Sequence, residues 1–283
     1  MKHVAPIAFC VSLVACLGGS HGDHTEIVQT QDVVATAAVA VMDPVVFQCP
    51  DDMAEVDGDY CPSVKQTCLQ WVDADGNASK EAIPAPGGSG RCGTFAAPSD
   101  CLSAQKVHKH YCIDVYEYPN LEGMKPQSWM TWYDVKDQCE AQGKRMCTKV
   151  EWTFACEGPE MHPYPYGDGF HRDVFACNFD NKAPKGTDVF KATSQTSKTA
   201  EVLDRMLIGA GANPQCVSPF GVHDMPGNID EWVQNDGGKP YASGLVGGHV
   251  FGVRNACRPV TTAHGPTFAW YETGGRCCLN VVR

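Results

Sequence analysis

Fourteen cysteines lie between Cys49 and Cys278 of this 283-residue chain, and they constrain its fold more than any other feature. Their number is even and no Cys-x-x-Cys occurs anywhere, so the spacing that would point to zinc is missing. The reading is up to seven disulfides, formed in an oxidising compartment. Bridges of that density support long loops with little regular structure, which otherwise need a metal to hold them.

Two further cysteines, Cys10 and Cys16, belong to a different kind of segment. Lys2 and His3 precede an apolar run from Val4 to Ala15, the n- and h-regions of a signal peptide. The run ends Leu13-Val14-Ala15-Cys16, which resembles the bacterial lipobox. That resemblance implies cleavage before Cys16 and a diacylglycerol on its thiol; the alternative is an ordinary signal peptide with an incidental cysteine. Either way the protein is exported, and with the lipid it is anchored to a bacterial membrane, in the periplasm or at the cell surface. The expected layout is a signal peptide over 1–15, a lipidated tether over 16–46 and one domain over 47–283. A cysteine-rich excursion at 61–101 interrupts that domain.

Hydrophobic residues make up 43% of the chain, enough for a core, and a net charge of −11 argues against a nucleic-acid partner, which needs a basic face. Met53–Tyr60 alternates apolar and polar as a half-buried strand does, and 111–117 is a second strand candidate. Residues 130–142 place Trp132, Val135 and Cys139 at helical spacing. In 148–156, Thr148 stands three residues before Glu151, a capping-box pattern. A turn of helix is expected near 201–207.

Residues 219–232 carry the clearest candidate site. Asp224 and Glu231 are hard oxygen donors, and Pro226-Gly227-Asn228 between them reads as a tight turn that aims carbonyls inward. Oxygen donors without sulfur are what Ca²⁺ prefers. The other reading is a turn before a helix start, its acids placed for the helix dipole.

Six segments, in order, then carry a family resemblance. Residues 53–58 (Met-Ala-Glu-Val-Asp-Gly) resemble an opening Met-Val-x-Ile-x-Gly strand, and Ile113-Asp114-Val115-Tyr116-Glu117 resembles IDxYEVTN. Residues 143–152 resemble GKRLPTEAEW, and Tyr164-Pro165-Tyr166-Gly167 resembles YPWG. Residues 219–232 resemble GLYDMSGNVWEW, and Gly274-Gly275-Arg276-Cys277 resembles GFRC. Together they resemble the formylglycine-generating enzyme (sulfatase-modifying factor) family. The resemblance implies an α+β, loop-rich domain related to C-type lectins and containing structural calcium. It maps calcium ligands onto the Asp224 and Glu231 side chains and the Gly227 and Ile229 carbonyls. A second set maps onto Asn178, the Phe179 carbonyl, Asp188 and the Phe190 carbonyl, with Asp180 as a competing ligand. It also implies disulfides Cys139–Cys277 and Cys156–Cys257. Cys177 and Cys216 bracket the acidic loop as a further pair, whereas partners for Cys147 and Cys278 stay open, a strained vicinal Cys277–Cys278 bridge ranking last.

The same resemblance exposes a departure. Enzymes of the family bind Cu(I) through two cysteines before the last loop and use O₂ to oxidise a substrate cysteine. Here residues 247–257 contain only Cys257, already assigned to a bridge, so copper is not expected. His249 supplies one borderline donor there, and His108-x-His110 places two imidazoles on one strand face, more simply read as exposed polar residues. Phe268, Trp270 and Tyr271 either line a groove or pack the core. The expectation is a calcium-stabilised binding or structural lipoprotein with a protein, peptide or glycan ligand. The alternative is an active formylglycine-generating oxidase or a non-haem metal oxygenase modifying exported substrates.

Overall fold

The computed structural model describes residues 48–73, 75–80, 90–237, 241–252 and 254–281. The signal peptide, Cys16 and the tether lie outside the described residues. Strands β1 (Met53–Tyr60), β2 (Val64–Lys65), β3 (Cys68–Val72), β4 (Arg91–Phe95), β5 (Asp100–Cys101) and β6 (Val107–Asp114) come first. Helix α1 (Trp132–Ala141), strand β7 (Arg145–Met146) and helices α2 (Lys149–Glu157) and α3 (Lys198–Asp204) follow. The chain then runs through β8 (Asp230–Gln234), β9 (Ser243–Val246), β10 (Val260–Thr261), β11 (Thr273–Gly274) and β12 (Cys277–Asn280).

The helices start where their caps dictate. Thr131 accepts from the Asp134 amide and Asp134 accepts from the Thr131 amide, and Thr148 and Glu151 repeat the arrangement at α2. Ser197 caps α3, so that helix begins three residues before the 201–207 segment where a turn was expected. Strand β6 also begins earlier than 111, because β1 pairs with it all the way to Tyr60↔Val107. Its other end stops at Asp114, ahead of the expected 117. Asp224 is followed by strand β8, not by a helix, so the helix-start reading of that turn falls away.

The first sheet has the order β1–β6–β12–β7, antiparallel throughout. The second is β10–β9–β8–β11, with β8 and β11 parallel. Helix α2 is buried from Glu151 to Glu157. Its Trp152, Phe154 and Ala155 pack with Val56, Tyr111 and Ile113 of one sheet and Val233 and Val246 of the other. A second cluster joins Val135 and Cys139 of α1 to Trp232, Leu245 and Cys277. The fold is thus α+β and loop-rich. Among the described residues no helix is long and apolar enough to cross a membrane.

Seven disulfides tie these pieces together. Cys139–Cys277, Cys156–Cys257 and Cys177–Cys216 are joined by Cys147–Cys278, Cys49–Cys112, Cys61–Cys101 and Cys68–Cys92. Cys277 and Cys278 are neighbours on β12, where successive side chains face opposite ways, so each reaches a partner on its own side. Bridges of this number fit an exported protein.

Candidate functional site

Two buried polar centres lie on either side of β8. The first surrounds Glu231. Its two carboxylate oxygens each meet the Arg276 guanidinium at 2.7 Å, and one also accepts Trp152 Nε1–H at 3.0 Å. Arg276 is enclosed and donates further to the carbonyls of Asp114 and Val115 at 3.3 Å and of His223 at 3.0 Å. Asp224 accepts from the Gly211 amide at 2.7 Å, and Glu117 accepts from Asn228 Nδ2 at 2.7 Å and the Ile229 amide at 3.3 Å. Burial, with Asp224 and Glu231 nearby, raises the Glu117 pKa well above the usual carboxylate range.

Three buried carboxylates therefore face one buried guanidinium. Glu231, expected as a cation ligand, is taken up by Arg276. The Asp224 side chain and the Gly227–Ile229 backbone stay together on one turn. Gly227 has a φ of +96°, and a Cβ there would lie 2.6 Å from the Asn178 carbonyl oxygen.

The second set of expected ligands divides. The Asn178 carbonyl accepts from the Asn228 amide at 2.8 Å, which brings Asn178 and Phe179 against the Gly227 turn. Asp188 instead caps a 3₁₀ turn, accepting from the Phe190 amide, and Phe190 is exposed. Asp180, the competing ligand, is bound by Arg91 at 2.8 Å and Arg172 at 2.7 Å.

The second centre lies at the start of β8. Gly247 and Gly248 have φ of +87° and +68°, and a Cβ on Gly247 would meet the Met225 carbonyl at 2.4 Å. That glycine turn aims the Gly248 amide at Asp230 Oδ1 (2.9 Å) and brings His249 Nε2 to 3.3 Å from Glu272 Oε2. Arg254 holds the other oxygen of Asp230. Asp230, His249 and Glu272 offer ligand atoms within 4.8 Å of one another, the one such set of three found among the described residues.

Burial, helped by Arg254, lowers the His249 pKa to about 3, so its ring is neutral. Its Nδ1 accepts from the Phe251 amide at 3.4 Å, which assigns the proton to Nε2, facing Glu272. Burial and then Asp230 raise Glu272 to about 7, and burial raises Asp230 to about 6 against the pull of Arg254. A carboxyl near neutrality beside a neutral imidazole is suited to proton transfer, and the set as a whole to a borderline or hard cation.

Glu272 also lines a cleft of about 210 Å³ with Val189, Phe190, His264, Phe268, Trp270 and Tyr271. His264 stacks on Phe268 at 3.9 Å between ring centroids, and Trp270 crosses Phe190 edge-on at 6.5 Å. The three aromatics left open between groove and core do both: all line this cleft, while Tyr271 is buried in a small cluster with Trp270 packed against it and Phe268 packs against the cluster of α1. The histidines of β6 lie elsewhere. His108 meets Asp57 and Asp59 at 3.2 and 3.3 Å, and His110 meets Glu55 at 2.7 Å, across the β1–β6 pair.

Sequence reasoning passed over Glu117, Asp230, Arg254, Glu272 and Arg276 as site residues. Glu117, Asp230 and Arg276 sat inside quoted motifs, where a charge within a recognised motif was the signal available for them.

The family model of the sulfatase-modifying factor enzyme 1-like domain matches residues 97–281. Among solved structures, CarF is 14% identical, covering 82% of this chain and 99% of its own, with a TM-score of 0.45. PvdO from Pseudomonas aeruginosa is 15% identical over 81% of this chain and 94% of its own, with a TM-score of 0.46. Variable protein 1 of Treponema denticola is 12% identical over 79% and 99%, with a TM-score of 0.38. No curated protein matches. With the match running from residue 97 to 281, well over half of its length, the chain belongs to the sulfatase-modifying factor enzyme 1-like family.

Proposed function

We propose that this chain is an exported lipoprotein whose domain works as a calcium-stabilised binding module and has no copper oxidase chemistry. One observation carries the reading: each of the fourteen cysteines from Cys49 to Cys278 is spent in a disulfide. Soft Cu(I) needs thiolates, and Cys257, the one cysteine of residues 247–257, is bonded to Cys156. What the family position retains is the aromatic cleft, whose flat faces suit a glycan ring or an apolar peptide side chain. Incubated with copper, reductant and a Cys-x-Pro-x-Arg peptide, the protein is expected to form no aldehyde detectable by mass spectrometry. Turnover above a copper-only control, abolished by Cys257→Ser, would reverse the reading.

Calcium is supported by charge. Fully ionised, Glu117, Asp224 and Glu231 against Arg276 would carry two net negative charges in a buried place, which one divalent cation would offset; without it burial and its acidic neighbours push Glu117 toward the neutral acid. Asp224 and the carbonyls of Gly227 and Ile229 would hold it, while Glu231 orients Arg276. A ligand bound only by the folded state adds about 2.7 kcal/mol at a hundredfold excess over Kd. For a domain of this size that is a rise of about 5–10 °C in melting temperature. EDTA is expected to remove it, and Asp224→Asn to abolish most of the EDTA effect. Superimposable melting curves with and without EDTA would refute structural calcium.

The lipid is tested separately: Cys16→Ser moves the protein from the membrane fraction to the soluble one. Equal fractionation of both forms would exclude the anchor.

A second reading, a metal oxygenase, has one observation in its favour, the Asp230–His249–Glu272 set beside the cleft. It predicts iron or copper at one per chain in protein purified without added metal, lost in His249→Ala. Calcium alone would exclude it.

A further inference from the structure

A cavity of about 370 Å³ lies between the β3–β4 ribbon and residues 254–259, apart from the aromatic cleft. Three arginines line it, Arg172, Arg254 and Arg258, in a chain whose net charge is −11. Each has one carboxylate partner: Arg172 binds Asp180 at 2.7 Å, Arg258 binds Glu157 at 2.5 Å, and Arg254 binds Asp230. Asp180 must also serve Arg91, at 2.8 Å. Four guanidiniums thus meet three carboxylates, and one positive charge is left over. Two polar atoms of these lining residues are buried with no partner, Arg254 Nε, a donor, and Asn255 Oδ1, an acceptor, while Arg172 Nη2 makes no aligned hydrogen bond beyond its ion pair with Asp180. Asn255 is 2% exposed and fixed by donating Nδ2 to the His249 carbonyl at 3.0 Å. Opposite stand flat apolar faces, Trp71, Phe95 and Tyr164, the last held through its hydroxyl on the Cys92 carbonyl.

A buried donor and a buried acceptor left unmade are costly, and a ligand supplying both partners removes that cost. The surplus positive charge asks for an anion, which guanidinium N–H groups recognise well. Asn255 Oδ1 asks for a hydroxyl hydrogen next to it, and the aromatic wall asks for a ring to lie against. We infer that this cavity binds an acidic sugar: a single ring bearing a sulfate, phosphate or carboxylate group. The anionic group pairs with Arg254 and the surplus charge, a ring hydroxyl donates to Asn255, and the ring rests on Trp71. The volume admits one such ring, at the small end of ligand pockets.

The test uses the purified full chain and isothermal titration with glucose 6-sulfate, glucose 6-phosphate, glucuronate and neutral glucose. At least one acid is expected to bind ten times or more tightly than glucose, weakening as salt rises. The three acids show which anionic group is preferred. Gln66→Glu places a negative charge in the lining, at the cost of the hydrogen bond that Gln66 Nε2 donates to the Met161 carbonyl at 2.9 Å, and is expected to weaken the acid tenfold or more while the variant still melts as a folded domain. Trp71→Ala weakens it too, whereas Trp270→Ala, in the separate aromatic cleft, leaves it unchanged. No acid bound, glucose bound equally well, or full affinity in Gln66→Glu each overturns the assignment. Loss in Trp270→Ala alone moves the ligand to the aromatic cleft and also overturns it.

Discussion

Arg276→Met is expected to remove about 3–5 kcal/mol of stability, a large share of what the domain holds. The guanidinium is enclosed, holds both oxygens of Glu231 and reaches three carbonyls, at Asp114, Val115 and His223. Without it Glu231 is a buried carboxylate beside Glu117 and Asp224, with no protein cation among them. Breaking a buried pair from one side costs about 3–5 kcal/mol, because a charge is left uncompensated. Whole domains hold only about 5–15 kcal/mol. The charge argument has its own control. In Arg276→Met/Glu231→Gln the stranded carboxylate is gone, so part of the loss returns despite the extra substitution. Urea unfolding followed by circular dichroism measures both. A single variant within about 1 kcal/mol of wild type, or a double variant worse than the single by the full cost of Glu231→Gln, contradicts this account.

Removing the long bridges is the second large effect. Cys139–Cys277 spans 138 residues and Cys156–Cys257 spans 101. In the chain-entropy model each, closing its loop alone, restricts the unfolded chain by about 5 kcal/mol, and Cys139–Cys277 by less while Cys147–Cys278 closes nearly the same loop. The loops are nested and Cys147–Cys278 remains, so the two terms do not add in full, and the double-bridge variant, with all four cysteines replaced by serine, is expected to lose several kcal/mol and to melt well below the wild type. Cys177–Cys216 closes only 39 residues, and its removal is expected to cost about 1 kcal/mol less than that of a bridge closing a hundred-residue loop alone. Thermal melts of the three bridge variants rank them. Equal melting temperatures would show that the bridges act through native contacts instead.

The parts of the fold that a reader of the sequence finds are those governed by local chemistry. Thr131 with Asp134 and Thr148 with Glu151 determine where two helices begin, whatever surrounds them. The 219–232 segment announced a turn because Gly227 must adopt a left-handed backbone. What stayed hidden depends on distant partners. Glu231 looks like a cation ligand until Arg276, 45 residues later and just ahead of β12, enters the same place. Asp188 looks like a ligand until its own 3₁₀ turn claims its oxygen. Glu272 and His249 are 23 positions apart and become neighbours only because β11 lies parallel to β8 and the Gly247-Gly248 turn folds back over both. No local period encodes such a meeting.

The order in which the bridges nest determines what a protease can do to this chain. Any single cut between residues 140 and 276 falls inside the loop closed by Cys139–Cys277, and any cut between 50 and 111 falls inside that closed by Cys49–Cys112. After either cut the two pieces remain one covalent body, with the sheets still paired and the buried arginine still in place. Only from 113 to 138 does the described backbone run from one closed block to the next without a bridge across it. In surroundings rich in proteases, nicks in the long loops from 158 to 229 would therefore accumulate without release of fragments. The damage would stay invisible on a gel until the sample was reduced.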